Sequence, residues 1–177
     1  MSRIITAIPL LILLGLSVLM AQKLLNHGKV TLIDKPAPDF SVPNFEEGQP
    51  PFTQADLEGR PALVVFFATW CPVCLIEHPN VTMLARKYGL PVYAIAYRDD
   101  RQALAQFLHD SGNPYQKIGF DEKGDSYFAW GVGGMPESFL VDGKGRIRLH
   151  HVGMIREDDI TGQILPAIAA IKKEQKQ

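Results

Sequence analysis

Ala62-Leu63-Val64-Val65-Phe66-Phe67-Ala68 is an unbroken apolar run rich in β-forming residues, and it passes through Thr69 and Trp70 straight into Cys71-Pro72-Val73-Cys74. An apolar run without alternation suits a strand covered on both faces of a sheet. A helical pattern takes over after the cysteines: Glu77, Val81, Leu84 and Tyr88 recur at i, i+4, i+7 and i+11 and share one face. Pro79 falls inside that pattern and predicts a kink, because it removes an N–H and crowds the preceding turn. A buried strand that feeds a helix through a short dithiol turn is the arrangement the rest of the chain has to accommodate.

The remaining segments extend the same alternation. Phe40 to Val42 reads as a short edge strand bounded by Pro38 and Pro43, and Asn44 to Pro51 as loop. Pro91 to Ala96 is the next apolar strand. Asp99 is expected to cap a helix, with Gln102 three residues on and Leu104, Phe107 and Leu108 as its buried stripe, stopped by Gly112-Asn113-Pro114. Ser138–Val141 and Arg146–His150 flank Asp142-Gly143-Lys144-Gly145 as a β-hairpin. Ile160, Ile164, Ile168 and Ile171 mark a last amphipathic helix with Lys172 and Lys173 at its C-terminal end. This order is α/β with a mixed sheet. At 177 residues there is room for one ordinary domain and a short appendage.

The N-terminus is the appendage. Ile4 to Ala21 carries no charge and is interrupted only by Thr6, Pro9, Gly15 and Ser17. Its length as a helix, at about 1.5 Å per residue, is roughly 27 Å, near the lower limit for crossing a bilayer core. The rival is a cleaved signal peptide ending near Met20-Ala21-Gln22, against which Leu19 stands where a small residue is wanted. The preferred reading is an uncleaved membrane anchor over residues 1–21, a tether over 22–35 and a globular domain over 36–177. Arg3 on one side and Lys23 and Lys29 on the other leave orientation undecided by charge.

Net charge is −1, with 18 basic and 19 acidic residues, so nothing argues for a nucleic-acid partner. The only two cysteines of the chain both lie in the dithiol turn. Cys71 would sit at a helix N-terminus, where free N–H groups and the helix dipole favour the thiolate, the form that attacks disulfides. Cys74, one turn further in, could resolve a mixed disulfide. Pro72 suits the first helical turn, where a missing N–H is no loss, and Trp70 offers a flat apolar surface beside the sulfur. A purely structural disulfide closing so short a loop would add little stability. Zinc would need two further ligands, and His27, His78, His109, His150 and His151 show no complementary spacing. The reading is a redox dithiol with no metal and no cofactor. Glu77 is open between a proton shuttle beside the thiols and a solvated helix glutamate. Gly133-Gly134-Met135-Pro136-Glu137 reads as a turn, with the isomer of the Met135–Pro136 bond left open.

Four stretches taken in order resemble a known family. Ala68-Thr69-Trp70-Cys71-Pro72-Val73-Cys74 with Glu77-His78, Tyr97-Arg98-Asp99-Asp100-Arg101, Gly112-Asn113-Pro114-Tyr115, and Gly131-Val132-Gly133-Gly134-Met135-Pro136-Glu137-Ser138-Phe139-Leu140 are similar to the thioredoxin-like reductases of bacterial cytochrome c maturation, the CcmG/DsbE family. The resemblance spans about residues 34 to 170. It implies a thioredoxin-like fold, a mixed central β-sheet flanked by helices, preceded by one N-terminal transmembrane helix. It implies single-pass attachment to the bacterial inner membrane through residues 4–21, with the catalytic domain in the periplasm. It further implies that Pro136 is a cis-proline facing the dithiol and that Glu77 and Glu137 line an acidic groove beside Cys71. The implied partners are apocytochrome c, or another thiol protein of the maturation system, and a membrane electron donor of the DsbD or CcdA type. Two positions depart from pattern: Ser138 replaces the fingerprint threonine, and Val65 stands where thioredoxin has a buried aspartate.

The expected function is reduction of the haem-binding cysteines of apocytochrome c. The alternatives are a broader periplasmic thiol reductase of the TlpA type, an oxidant, and a holdase that binds apocytochrome without electron transfer. The dithiol motif by itself does not set the direction of electron flow.

Overall fold

The computed structural model describes residues 13–17, 19–20 and 32–175, and the chain divides into two compact units, Met1–Thr31 and Leu32–Gln177. In the first unit the described residues are helical. Most of the expected anchor and the tether up to residue 31 lie outside the described residues. Among those that are described, no helix is long and apolar enough to cross a membrane.

The second unit is built on a mixed sheet. Two short strands, β1 (Ser41–Val42) and β2 (Phe52–Thr53), pair antiparallel, and a 3-10 turn follows at Gln54–Leu57. Next come β3 (Ala62–Phe67), α1 (Pro72–Arg86), β4 (Val92–Tyr97), α2 (Arg101–Ser111), β5 (Ile118–Asp121), α3 (Asp125–Ala129), β6 (Glu137–Val141) and β7 (Ile147–Val152). The chain closes with an α turn at Glu157–Asp159, a π turn at Ile160–Ile164 and the helix α4 (Leu165–Glu174). The main sheet has the order β5-β4-β3-β6-β7, with β3, β4 and β5 parallel and β6 and β7 antiparallel to their neighbours.

Strand β3 is central, which is why its sequence does not alternate. Leu63, Val65 and Phe67 pack into one core with Val81 and Leu84 of α1, Leu104 and Leu108 of α2, and Ile160, Ile164, Ile168 and Ile171. Ala62, Val64 and Phe66 point the other way, into a second core with Phe52, Leu57, Trp130 and Phe139. Each large apolar side chain buried in this way contributes about 1.5–3 kcal/mol. The isoleucine stripe read from the sequence is buried throughout, although its first turn is π-helical rather than α-helical.

Several differences from the sequence reading have identifiable causes. The domain begins at Leu32, because Asp34 N–H donates to the Ile147 carbonyl (2.7 Å) and Ala37 N–H to that of Gly145 (2.8 Å), tying residues before Pro36 to the β6–β7 hairpin. Strand β5 and helix α3 escape periodicity because they are only four and five residues long. Helix α1 is continuous through Pro79, the condition under which a kink is expected there, and so agrees with the sequence on that point. The cap of α2 is Asp100, whose carboxylate accepts from Ala103 N–H (2.8 Å), and not Asp99.

Candidate active site

Asp99 is taken by a tertiary contact instead. Its carboxylate accepts from both the backbone N–H (2.8 Å) and the hydroxyl of Thr69. The next residue, Trp70, donates from Nε1 to the Arg98 carbonyl (3.1 Å). The turn between β3 and α1 is therefore held at two successive residues by the turn after β4. That turn has a cost: Arg98 adopts φ +44°, a left-handed conformation that non-glycine residues rarely take.

Cys71 emerges from this turn as the N-cap of α1, with Pro72 in the first helical turn. Cys71 and Cys74 form a disulfide with Cα atoms 5.3 Å apart. Cys74 N–H donates to Cys71 Sγ at 3.3 Å, so the helix N-terminus directs a donor at the outer sulfur. Both sulfur residues are nearly covered, at 6% and 3% exposure, while Trp70 is 56% exposed beside them. Val73 and Ile76 also face solvent, giving the disulfide an apolar rim.

Pro136 reaches the same end of the sheet by topology. Strand β6 runs antiparallel to β3 with Glu137 opposite Phe66, so the residues just before β6 lie where β3 ends and the dithiol turn begins. The Met135–Pro136 bond is cis, and Met135 packs against the core that contains Cys71 and Cys74.

The two glutamates do not share a groove wall. Glu77 is 1% exposed and belongs to the α1 side of the sheet, where Oε2 accepts from Ile155 N–H (2.9 Å) and Oε1 has no hydrogen-bond partner. Burial pushes its carboxyl up to about 7, against the opposing pull of the Ile155 amide. A neighbouring residue of α1, Asn80, donates to the Ile155 carbonyl (2.9 Å), so both backbone groups of Ile155 are bound by that helix. Glu137, also buried, is paired with Phe66 and so faces the opposite core. The resemblance implied that Glu77 and Glu137 line one acidic groove beside Cys71; both are buried, and strand register sets Glu137 on the face of the sheet opposite α1, which carries Glu77.

Three features of the site were not read from the sequence. One is the Asp99–Thr69 clamp. Another is His78, which is buried, places Nε2 3.0 Å from the Gly112 carbonyl and Nδ1 3.4 Å from the Tyr115 hydroxyl, and is held below its usual range by burial. The last is the environment of Glu137: Oε1 accepts from Gly133 N–H (2.9 Å) and Gly134 N–H (3.0 Å), and Oε2 from His150 Nε2–H (2.6 Å). The aspartate pair and the adjacent histidines were visible, but their partners lie across turns that only the sheet register brings together.

A dithiol at a helix N-terminus, with a buried carboxyl titrating near neutrality on the same helix, can exchange disulfides and move the accompanying proton. Residues 33–165 match the Redoxin family. The thiol:disulfide interchange protein DsbE of Pseudomonas fluorescens biotype C is 41% identical over 160 residues, covering 89% of each chain. That of Escherichia coli K12 is 35% identical over 188 residues and covers both chains in full. Among solved structures, a Chlorobium tepidum protein assigned as a DsbE superposes with a TM-score of 0.63 at 31% identity, covering 75% of this chain and 95% of its own.

Proposed function

The chain belongs to the DsbE family of thiol:disulfide interchange proteins and is a thiol:disulfide oxidoreductase; from that premise we propose that it works as a reductant of the haem-binding cysteines of apocytochrome c. The observation that carries the exchange chemistry is the donor from Cys74 N–H to Cys71 Sγ at the start of α1, which stabilises the attacking thiolate; the reductant direction is supported by membership of the DsbE family.

In the reduced state, the Cys71 thiolate attacks one sulfur of a target disulfide. A Cys71–target bond forms, the target's own S–S bond breaks, and its second sulfur leaves as a thiolate that takes up a proton. Cys74 then attacks Cys71 Sγ, forming the internal disulfide and releasing the first target sulfur. Two electrons pass to the target, and Glu77, buried one helical turn beyond Cys74, receives the proton that Cys74 gives up. Trp70, Pro72, Pro136 and Glu137 support the exchange: Trp70 as an exposed apolar face, Pro72 by starting the helix, Pro136 in the loop that ends beside the dithiol turn, and Glu137 by accepting from the Gly133 and Gly134 amides of that loop. No metal or organic cofactor enters these steps.

The domain is placed in the bacterial periplasm on a single inner-membrane span through residues 4–21. The uncharged run Ile4–Ala21 supports this; recharging of the dithiol by a membrane donor of the DsbD or CcdA type is part of the same proposal. The test is the equilibrium potential of the Cys71–Cys74 couple in thiol buffers, with reduction of an oxidised Cys-x-x-Cys-His peptide. A value at or below about −200 mV with peptide reduction supports the reading; a value near about −120 mV marks an oxidant and overturns it.

A further inference from the structure

Glu137 is a buried carboxylate with both oxygens engaged, and what engages them is specific. Oε1 holds the backbone N–H groups of Gly133 and Gly134, the two residues that lead into Met135 and Pro136. Oε2 accepts from His150 Nε2–H at 2.6 Å, a charge-assisted bond at the short end of its range. His150 sits on β7 opposite Phe139 of β6, so it reaches Glu137 diagonally across the strand pair. Its ring lies flat on Phe139, with centroids 4.2 Å apart and planes 13° from parallel. The imidazole is thus held in one orientation by the stack and uses it to fix the carboxylate.

We propose that His150 is a positioning residue for thiol–disulfide exchange: through Glu137 it holds the Gly133–Gly134 backbone, and so sets the loop that carries Pro136 beside the Cys71–Cys74 pair. Without the histidine donor, Oε2 is left buried with no partner, and the carboxylate is free to turn away from the loop. The proposal deepens the reading above and rests on it only for the identity of the target.

Two variants of the full chain separate hydrogen bonding from packing. His150→Phe keeps a ring on Phe139 but has no donor; His150→Gln keeps an N–H donor but loses the stack. Hydrogen exchange of the segment spanning Val132 to Pro136, in the oxidised chain, reports the hold on the loop directly and does not depend on the direction of electron flow. KM and kcat for an oxidised Cys-x-x-Cys-His peptide, or for the reduced peptide if the wild type runs that way, report its consequence. In His150→Phe, amide exchange accelerates and KM rises, each by about tenfold, the factor for one lost hydrogen bond to a charged group. The Cys71–Cys74 potential does not move, and His150→Gln stays within about twofold of wild type in both readouts. The proposal is overturned if His150→Phe exchanges as slowly as wild type, if exchange quickens with KM unchanged, or if His150→Gln is as impaired as His150→Phe. Should the phenylalanine variant not fold, His150→Asn, whose amide ends short of Glu137, takes its place under the same criteria. A wild type that oxidises rather than reduces the peptide removes the reductant reading and leaves the exchange measurement to decide this one.

Discussion

Replacing Glu77 by glutamine should change how stability depends on pH, and the size of the change follows from the burial of one carboxyl. Glu77 is 1% exposed, and its carboxyl is pushed from an ordinary 4.5 up to about 7. Between those values the folded chain holds a proton that the unfolded chain has released. Stability from this group is therefore complete below about pH 4.5 and declines as pH rises, until it is lost above about 7. At about 1.4 kcal/mol per pH unit, the span amounts to about 3 kcal/mol. Glutamine offers Ile155 N–H the same acceptor and has no proton to lose. Urea unfolding of the oxidised full chain in detergent, followed by tryptophan fluorescence, would be run for both chains at pH 4 to 8. The wild type should lose about 3 kcal/mol relative to Glu77→Gln across that range, most of it between pH 5 and 7. Curves that stay parallel would show that Glu77 titrates as an ordinary carboxyl and would remove it as the proton acceptor for Cys74.

Two other substitutions probe the dithiol turn. Cys74→Ser leaves the attacking sulfur without a resolving partner, so Cys71 should accumulate as a mixed disulfide with an oxidised target peptide, seen as a mass increase that dithiothreitol reverses; fast turnover in this variant would refute the assignment of roles. Asp99→Ala removes both hydrogen bonds to Thr69 and should cost about 1–3 kcal/mol in denaturant unfolding. It should also slow attack by Cys71, and an unchanged midpoint and rate would mean that the turn holds its shape unaided.

What the sequence disclosed depended on how local the controlling physics is. Strand β3, the hairpin around Asp142 to Gly145 and the isoleucine helix were legible because an unbroken apolar run, a glycine-rich turn and a period near 3.6 each state their environment directly. The thiol pair was legible for the same reason: strand, dithiol and helix are contiguous. The choice of Asp100 over Asp99 as helix cap was not, because both are suitable caps and Thr69, thirty residues earlier in the chain, decides between them. Glu77 was ambiguous because a glutamate on the apolar face of a helix can turn toward solvent until a segment as remote as Ile155 closes over it. The placement of Glu137 on the opposite face follows from its pairing with Phe66, and register across distant strands is not written in either strand alone.

The antiparallel seat of β6 against β3 also orders events as the chain is made. Cys71 and Cys74 are contiguous with the strand and helix that present them, and both emerge well before Glu137. The loop before β6 takes its place only when β6 finds the exposed edge of β3, a long-range closure that local structure precedes. A half-made chain therefore carries the thiol pair before the loop that ends beside it has taken its place. The setting of the dithiol is completed only by the last third of the molecule, so the thiol pair can react during synthesis before its final surroundings exist.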